Sequence, residues 1–131
     1  VLILADTSCW IEFFRPYGDE AVRAQLLRWL AAGLAICGPV RAEVLRGVRK
    51  AEAAKIASAF AALPHLASVD GDWLTAEQKT RSLADKGYNV PLLDVFIAVL
   101  ALRHGAVLAH KDAHFQTIAQ VLPLRTHNFL A

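Results

Sequence analysis

The chain has 131 residues, 56% of them hydrophobic and 20% charged, with a mean hydropathy of +0.37. That length suits one domain over residues 1–131 and leaves little room for a second, and the apolar content excludes a disordered chain. The formal net charge of +2 does not by itself select a class of partner.

Leu2–Ala5 is apolar or small throughout and reads as a strand buried on both faces. Thr7 or Ser8 then suits the cap of a helix whose apolar face is Trp10, Ile11, Phe13 and Phe14. Pro16–Gly18 is a turn, and Asp19 opens a helix running to about Ala31, with Val22, Leu26, Leu27 and Leu30 at helical spacing. Gly33 ends it. Leu34–Cys37 is a second short strand, and Pro39 suits the first turn of a helix reaching about Val48. A further helix over Ala51–Ala62 closes before Pro64, and His65–Val69 reads as a third strand. Residues 72–86 form a helix ended by Gly87, and Pro91 opens a strongly apolar helix to about Arg103. Ala106–Ala109 is a fourth strand, residues 113–120 a helix, and Leu124–Thr126 a last strand.

Strands alternating with helices argue an α/β domain with a mainly parallel sheet of four to five strands and helices on both faces. In such sheets ligands sit beyond the carboxyl ends of the strands. The longest apolar run, Val95–Leu102, is eight residues, far below the roughly 20 needed to cross a bilayer. The first residues lack the pattern of a signal peptide, so a cytoplasmic location and no membrane contact are expected. Cys9 and Cys37 stand far apart in apolar surroundings and are expected as buried thiols rather than a disulfide.

Four acids sit where structure alone gives only a partial reason for them. Asp6 ends the first strand. Asp112 follows the fourth strand in "AVLAHKDAHF", where it could also cap the next helix. Asp94 is the only charge between Lys86 and Arg103; the helix dipole favours an acid there by about 0.3–1 kcal/mol, but both flanks are apolar. A half-buried carboxylate needs a partner or a cation. Glu43 borders the apolar side of its helix, with Arg46 and Arg49 as possible surface partners. Carboxylates held close repel one another unless a cation neutralises them, and oxygen-only ligands suit Mg²⁺ or Mn²⁺. Setting the four aside leaves a net +6, from 14 basic and the other eight acidic side chains. A basic surface around an acidic hole suits a polyanion handled through a metal ion.

With these residues in view, the chain resembles a PIN-domain ribonuclease, specifically a VapC-type toxin of a bacterial toxin–antitoxin pair. The resemblance runs over essentially the whole sequence: "LADTSCWIEFF", "PVRAEVLRG", "PLLDVFIAVLALRHGAVLAHKD" and "KDAHF", in that order. It implies an α/β/α sandwich around a parallel sheet, and Mg²⁺- or Mn²⁺-dependent cleavage of RNA, with tRNA favoured by the resemblance alone. By position it makes Asp6, Glu43, Asp94 and Asp112 the catalytic, metal-binding acids. Ser8 matches a small hydroxyl residue that orients a ligand or water. The family further implies an antitoxin of VapB type as partner, received in a groove made by early helices, and a second copy of the chain in a homodimer. Two positions depart from the common pattern: His110 stands where Thr or Ser is frequent, and His114 where an acid or Asn is frequent.

Arg41, Arg46, Arg49 and Lys50 cluster around Glu43. They read either as a solvated helix face or as a rim for an RNA backbone, with Arg41, Arg46 and His110 as candidate substrate contacts beside Ser8. His110 and His114 have an H-x₃-H spacing, but neither cysteine is spaced to complete a structural zinc site. Ser8 lacks the Gly-x-Ser-x-Gly context of a covalent nucleophile. The competing functional readings are a PIN-fold binding module without catalysis and a nuclease directed at DNA.

Overall fold

The computed structural model describes residues 1–130. In chain order the elements are β1 (Ile3–Ala5), α1 (Thr7–Phe14), α2 (Glu20–Ala32), β2 (Leu34–Ala35), α3 (Gly38–Gly47), α4 (Lys50–Ala61), α5 (Asp70–Asp85), α6 (Leu92–Arg103), β3 (Val107–His110), α7 (Ala113–Ile118) and β4 (Thr126–Asn128). The four strands form a parallel sheet in the order β2-β1-β3-β4. β1 and β3 pair in register, Ile3 with Val107 and Ala5 with Ala109. From β1 the chain goes first to one side of the sheet, then crosses back to the other. The reversal lies between β1 and β3, where the carboxyl ends of the strands open a crevice.

The core explains the alternation. All three residues of β1 are buried, as are Leu108 and Ala109 of β3, so these strands are covered on both faces. α6 is buried on every side from Val95 to Ala101, as expected of a helix packed between other layers. Phe60, Trp10, Phe13 and Phe14 form an aromatic group, with Trp10 edge-on to Phe60 at a centroid distance of 5.0 Å. Cys9 and Cys37 are free and buried, and burial pushes the Cys37 thiol up to about 11. Among the described residues no helix is long and apolar enough to cross a membrane.

Three local expectations need correction. The segment His65–Val69 is not a strand; it makes one bridge, His65 to Ile36, held by Leu66 N–H to the Ile36 carbonyl at 2.8 Å. Beyond it the carbonyl of Ala67 accepts from Arg103, and Val69 becomes the cap of α5. The last strand lies at Thr126–Asn128 rather than Leu124–Thr126, because Leu124 N–H turns back to the Leu122 carbonyl at 2.7 Å. α1 is capped by neither Ser8 nor Thr7: Asp6 holds the N-cap position and makes no side-chain cap bond. Asp19 does cap its helix, accepting from the N–H groups of Ala21 and Val22.

Candidate active site

β1 delivers Asp6 to the crevice directly, one residue beyond the strand, and its N–H bonds to the Ala109 carbonyl of β3 at 3.0 Å. The residue is only 3% exposed. Its side-chain partner is a neutral hydroxyl: Ser8 Oγ donates to Asp6 Oδ1 at 2.6 Å. Ser8 in turn accepts from the Lys111 N–H at 2.8 Å, which ties the end of β3 to the start of α1. Burial pushes the Asp6 carboxyl up to about 7; the Ser8 hydrogen bonds oppose this, and the charges of Asp112 and Asp94 add to it.

Asp94 lies in the first turn of α6. Burial raises its carboxyl, the hydrogen bond from His114 lowers it, and the charges of Asp112 and Glu43 raise it further. His114 Nδ1 is 2.9 Å from Asp94 Oδ2 and 3.4 Å from Asp112 Oδ1. Asp112 is also the N-cap of α7, accepting from the His114 N–H at 2.9 Å. The helix-cap and site readings of Asp112 therefore coexist in one side chain. Glu43 pairs with neither arginine proposed as its surface partner. It accepts from Thr7 Oγ1 at 2.8 Å, linking α3 to α1. Arg49 bonds Glu52 instead.

Asp6 thus feels the charges of Asp94 and Asp112, and Asp94 those of Asp112 and Glu43. Oxygens of Asp94 and Asp112 and a nitrogen of His114 lie within 4.8 Å of one another; Asp6 and Glu43 stand outside that tight group. Sequence reasoning left out Thr7 and Lys111 as contributors and named His114 only as a departure from the family pattern and as half of an H-x₃-H spacing. Their contacts span 36, 103 and 20 residues, and no local pattern signals them.

The candidate substrate contacts fare differently. Arg46 is exposed on the last turn of α3. Arg41 is partly buried and donates from Nη1 to the Ala57 carbonyl of α4 at 3.1 Å. His110 is 0% exposed, so it neither lies on the surface nor reaches a phosphate. Its Nδ1 accepts from the Asp112 N–H at 3.3 Å while Nε2 has no partner, and burial lowers its pKa, favouring the neutral ring. It supports the Asp112 backbone from below.

Comparison with known proteins adds to this geometry. The model of the PIN domain matches residues 3–121. The chain belongs to the PIN-domain family. "VapC ribonuclease Mb1587" of Mycobacterium bovis and "Ribonuclease VapC11" of Mycobacterium tuberculosis are each 37% identical to it, over 98% of this chain and 99% of theirs. Solved structures share the PIN fold at low identity. VapBC-1 from nontypeable Haemophilus influenzae aligns over all of both chains, with 17% identity and a TM-score of 0.77. VapBC2 from Rickettsia felis, bound to a promoter DNA fragment, aligns over 98% of this chain and 99% of that one, with 15% identity and a TM-score of 0.75. In this PIN domain Asp6 and Asp112 follow β1 and β3 at the carboxyl edge of the sheet, with Asp94 close to Asp112 and Glu43 held on α3 by Thr7.

Proposed function

We propose that the chain is a metal-dependent endoribonuclease, the toxin of a toxin–antitoxin pair, hydrolysing phosphodiester bonds in RNA. One observation carries the reading. Four acids scattered over the sequence are linked by charge, Asp112 and Asp94 acting on Asp6, and Asp112 and Glu43 on Asp94, in a chain 37% identical to two ribonucleases over nearly its whole length.

The donor set fits a divalent cation. Its oxygens are carboxylate, and Asp6 is nearly buried with hydrogen bonds from Ser8 and no cationic partner among the described residues. A carboxylate in that position is stabilised by a cation, and the hard donors suit Mg²⁺ or Mn²⁺. Asp6, Asp94 and Asp112 would hold the ion, with Glu43 beside them. When bound, the cation supplies a Lewis acid that polarises the phosphodiester and makes water nucleophilic at neutral pH. The chain's own groups set the geometry. Ser8 Oγ orients Asp6 through Oδ1. Thr7 fixes the Glu43 carboxylate, and the cap bond from His114 orients Asp112. Hydrolysis at such a site leaves a 5′-phosphate and a 3′-hydroxyl.

The partner surface follows from the same geometry. A groove of about 510 Å³ runs between α1 and α3, lined by Trp10, Ile11, Phe14, Val44 and Arg49 as well as Glu43. A VapB-type antitoxin segment laid in it would lie against one of the four acids, coupling binding to inhibition. A second copy of the chain is best accommodated at the exposed apolar patch of Val69, Trp73, Leu74 and Leu92.

The test is cleavage of total tRNA and a mixed RNA panel by purified protein, with Mg²⁺, with Mn²⁺ or with EDTA. Cleavage should need the metal. Asp94→Asn, with an unchanged circular-dichroism spectrum, should lose about 10²-fold or more of the rate, the scale of removing a group that stabilises transition-state charge. An Asp94→Asn protein as fast as the parent would sink the reading, as would cleavage that persists in EDTA.

A further inference from the structure

We propose that His114 is itself a ligand of the cation, through Nδ1, and that it tilts the site toward a first-row transition ion over Mg²⁺. The inference rests on the metal-site reading above and concerns which ion the chain selects.

The tightest group of donor atoms in the crevice is not a set of four carboxylates. It is Asp94, Asp112 and His114, whose ligand atoms all lie within 4.8 Å of one another. Ions with bonds of about 2.0–2.3 Å span donors up to roughly 4.6 Å apart, so one ion can touch all three after small adjustments. Nδ1 faces both carboxylates, at 2.9 Å and 3.4 Å. The backbone N–H of His114 binds Asp112 Oδ1, which holds residue 114 beside that carboxylate at the start of α7. The side chain is 45% exposed, so the ion can arrive from solvent. Mg²⁺ demands oxygen donors in near-ideal octahedral geometry, whereas imidazole nitrogen favours the first-row transition ions. A ring that carries its proton on Nε2 would offer the Nδ1 lone pair to the ion.

The same contacts admit an opposing account, and it has the opposite sign. If His114 only hydrogen-bonds Asp94, it competes with the cation, and removing it tightens metal binding.

The experiment titrates metal-free protein with Mn²⁺, followed by its electron paramagnetic resonance signal, with Mg²⁺ measured by competition. Pulsed measurements on the bound Mn²⁺ read coupling to ¹⁴N. Parent protein should show nitrogen coupling that disappears in His114→Ala and His114→Asn. Mn²⁺ affinity in these variants should fall about tenfold or more, and Mg²⁺ affinity much less. Mn²⁺ that binds the parent and is lost in Asp94→Asn, yet shows no nitrogen coupling, overturns the role of His114 and leaves the metal site standing. Equal or tighter Mn²⁺ binding by His114→Ala does the same. A parent that binds no Mn²⁺ overturns both the inference and the reading beneath it.

Discussion

Asp6 concentrates the electrostatic tension of the molecule. Its carboxyl is pushed up to about 7 by burial first, with the neighbouring acids adding to it, against an ordinary value of 3.8. Between those two pH values the folded, metal-free chain holds a proton that the unfolded chain has released. The stability this contributes is full in acid below about 4 and is lost as pH rises through about 7. Metal-free parent should therefore lose stability relative to Asp6→Asn across that window, and added Mn²⁺ or Mg²⁺ should close the gap at pH 7.5. Thermal melts of both proteins at half-unit pH steps measure this; a difference that is flat with pH would contradict it. Asp6 and Asp112 were legible because each follows an apolar strand. Asp94 was legible because no other charge stands near it in the chain. Glu43 suggested an arginine partner where Thr7 stands, and His110 suggested a substrate contact until β3 proved shifted by one residue, which carries the ring into the core. Such contacts depend on chain segments meeting in space, and no local spacing encodes them.

Among the elements, the turn between α1 and α2 is the most tightly constrained. A Cβ on Gly18 would lie 1.8 Å from the Glu12 carbonyl oxygen, so the backbone passes where no side chain fits. The close approach lets Asp19 N–H reach Glu12 Oε2 at 3.2 Å, and Lys111 bridges Glu12 and Asp19 at 3.3 and 3.1 Å. Gly18→Ala should cost about 1–3 kcal/mol, the range for overpacking a filled site. Urea unfolding reads that cost, and a variant as stable as the parent would show that the turn relaxes freely. Most helices were legible from apolar spacing and from Pro or Gly at their ends. The segment His65–Val69 was not, because an apolar and polar mixture of that length satisfies a strand pattern equally well. The tertiary partners of Ala67, Arg103 and His104, decided against it.

For the molecule as a whole, charge placement separates binding from chemistry. With the four crevice acids set aside the chain carries a net +6, and Arg46, Arg49 and Lys50 are exposed around the helix bearing Glu43. RNA affinity should fall with salt, with a log–log slope of roughly −2 for about three phosphate contacts to single strands. Arg46→Gln should make that slope shallower by about 0.7 without changing metal affinity. Fluorescence anisotropy of a labelled RNA, on an Asp94→Asn background to prevent cleavage, measures it; an unchanged slope would remove Arg46 from the rim. The overall α/β order was legible in the sequence, since strand and helix patterns alternate plainly. The strand order was not, because the crossing from β2 over β1 to β3 leaves no mark on either strand.

That crossing also orders events in time. β1 is made first, yet its neighbour β3 and the acid after it are separated from it by about a hundred residues, and β4 pairs with β3 later still. Contacts of such sequence separation form slowly and only once both partners exist. While the ribosome is still extending the chain short of Asp112, Asp6 has neither the strand that buries it nor the carboxylate opposite. A nascent chain that stops short of Asp112 therefore carries Asp6 without an assembled site around it.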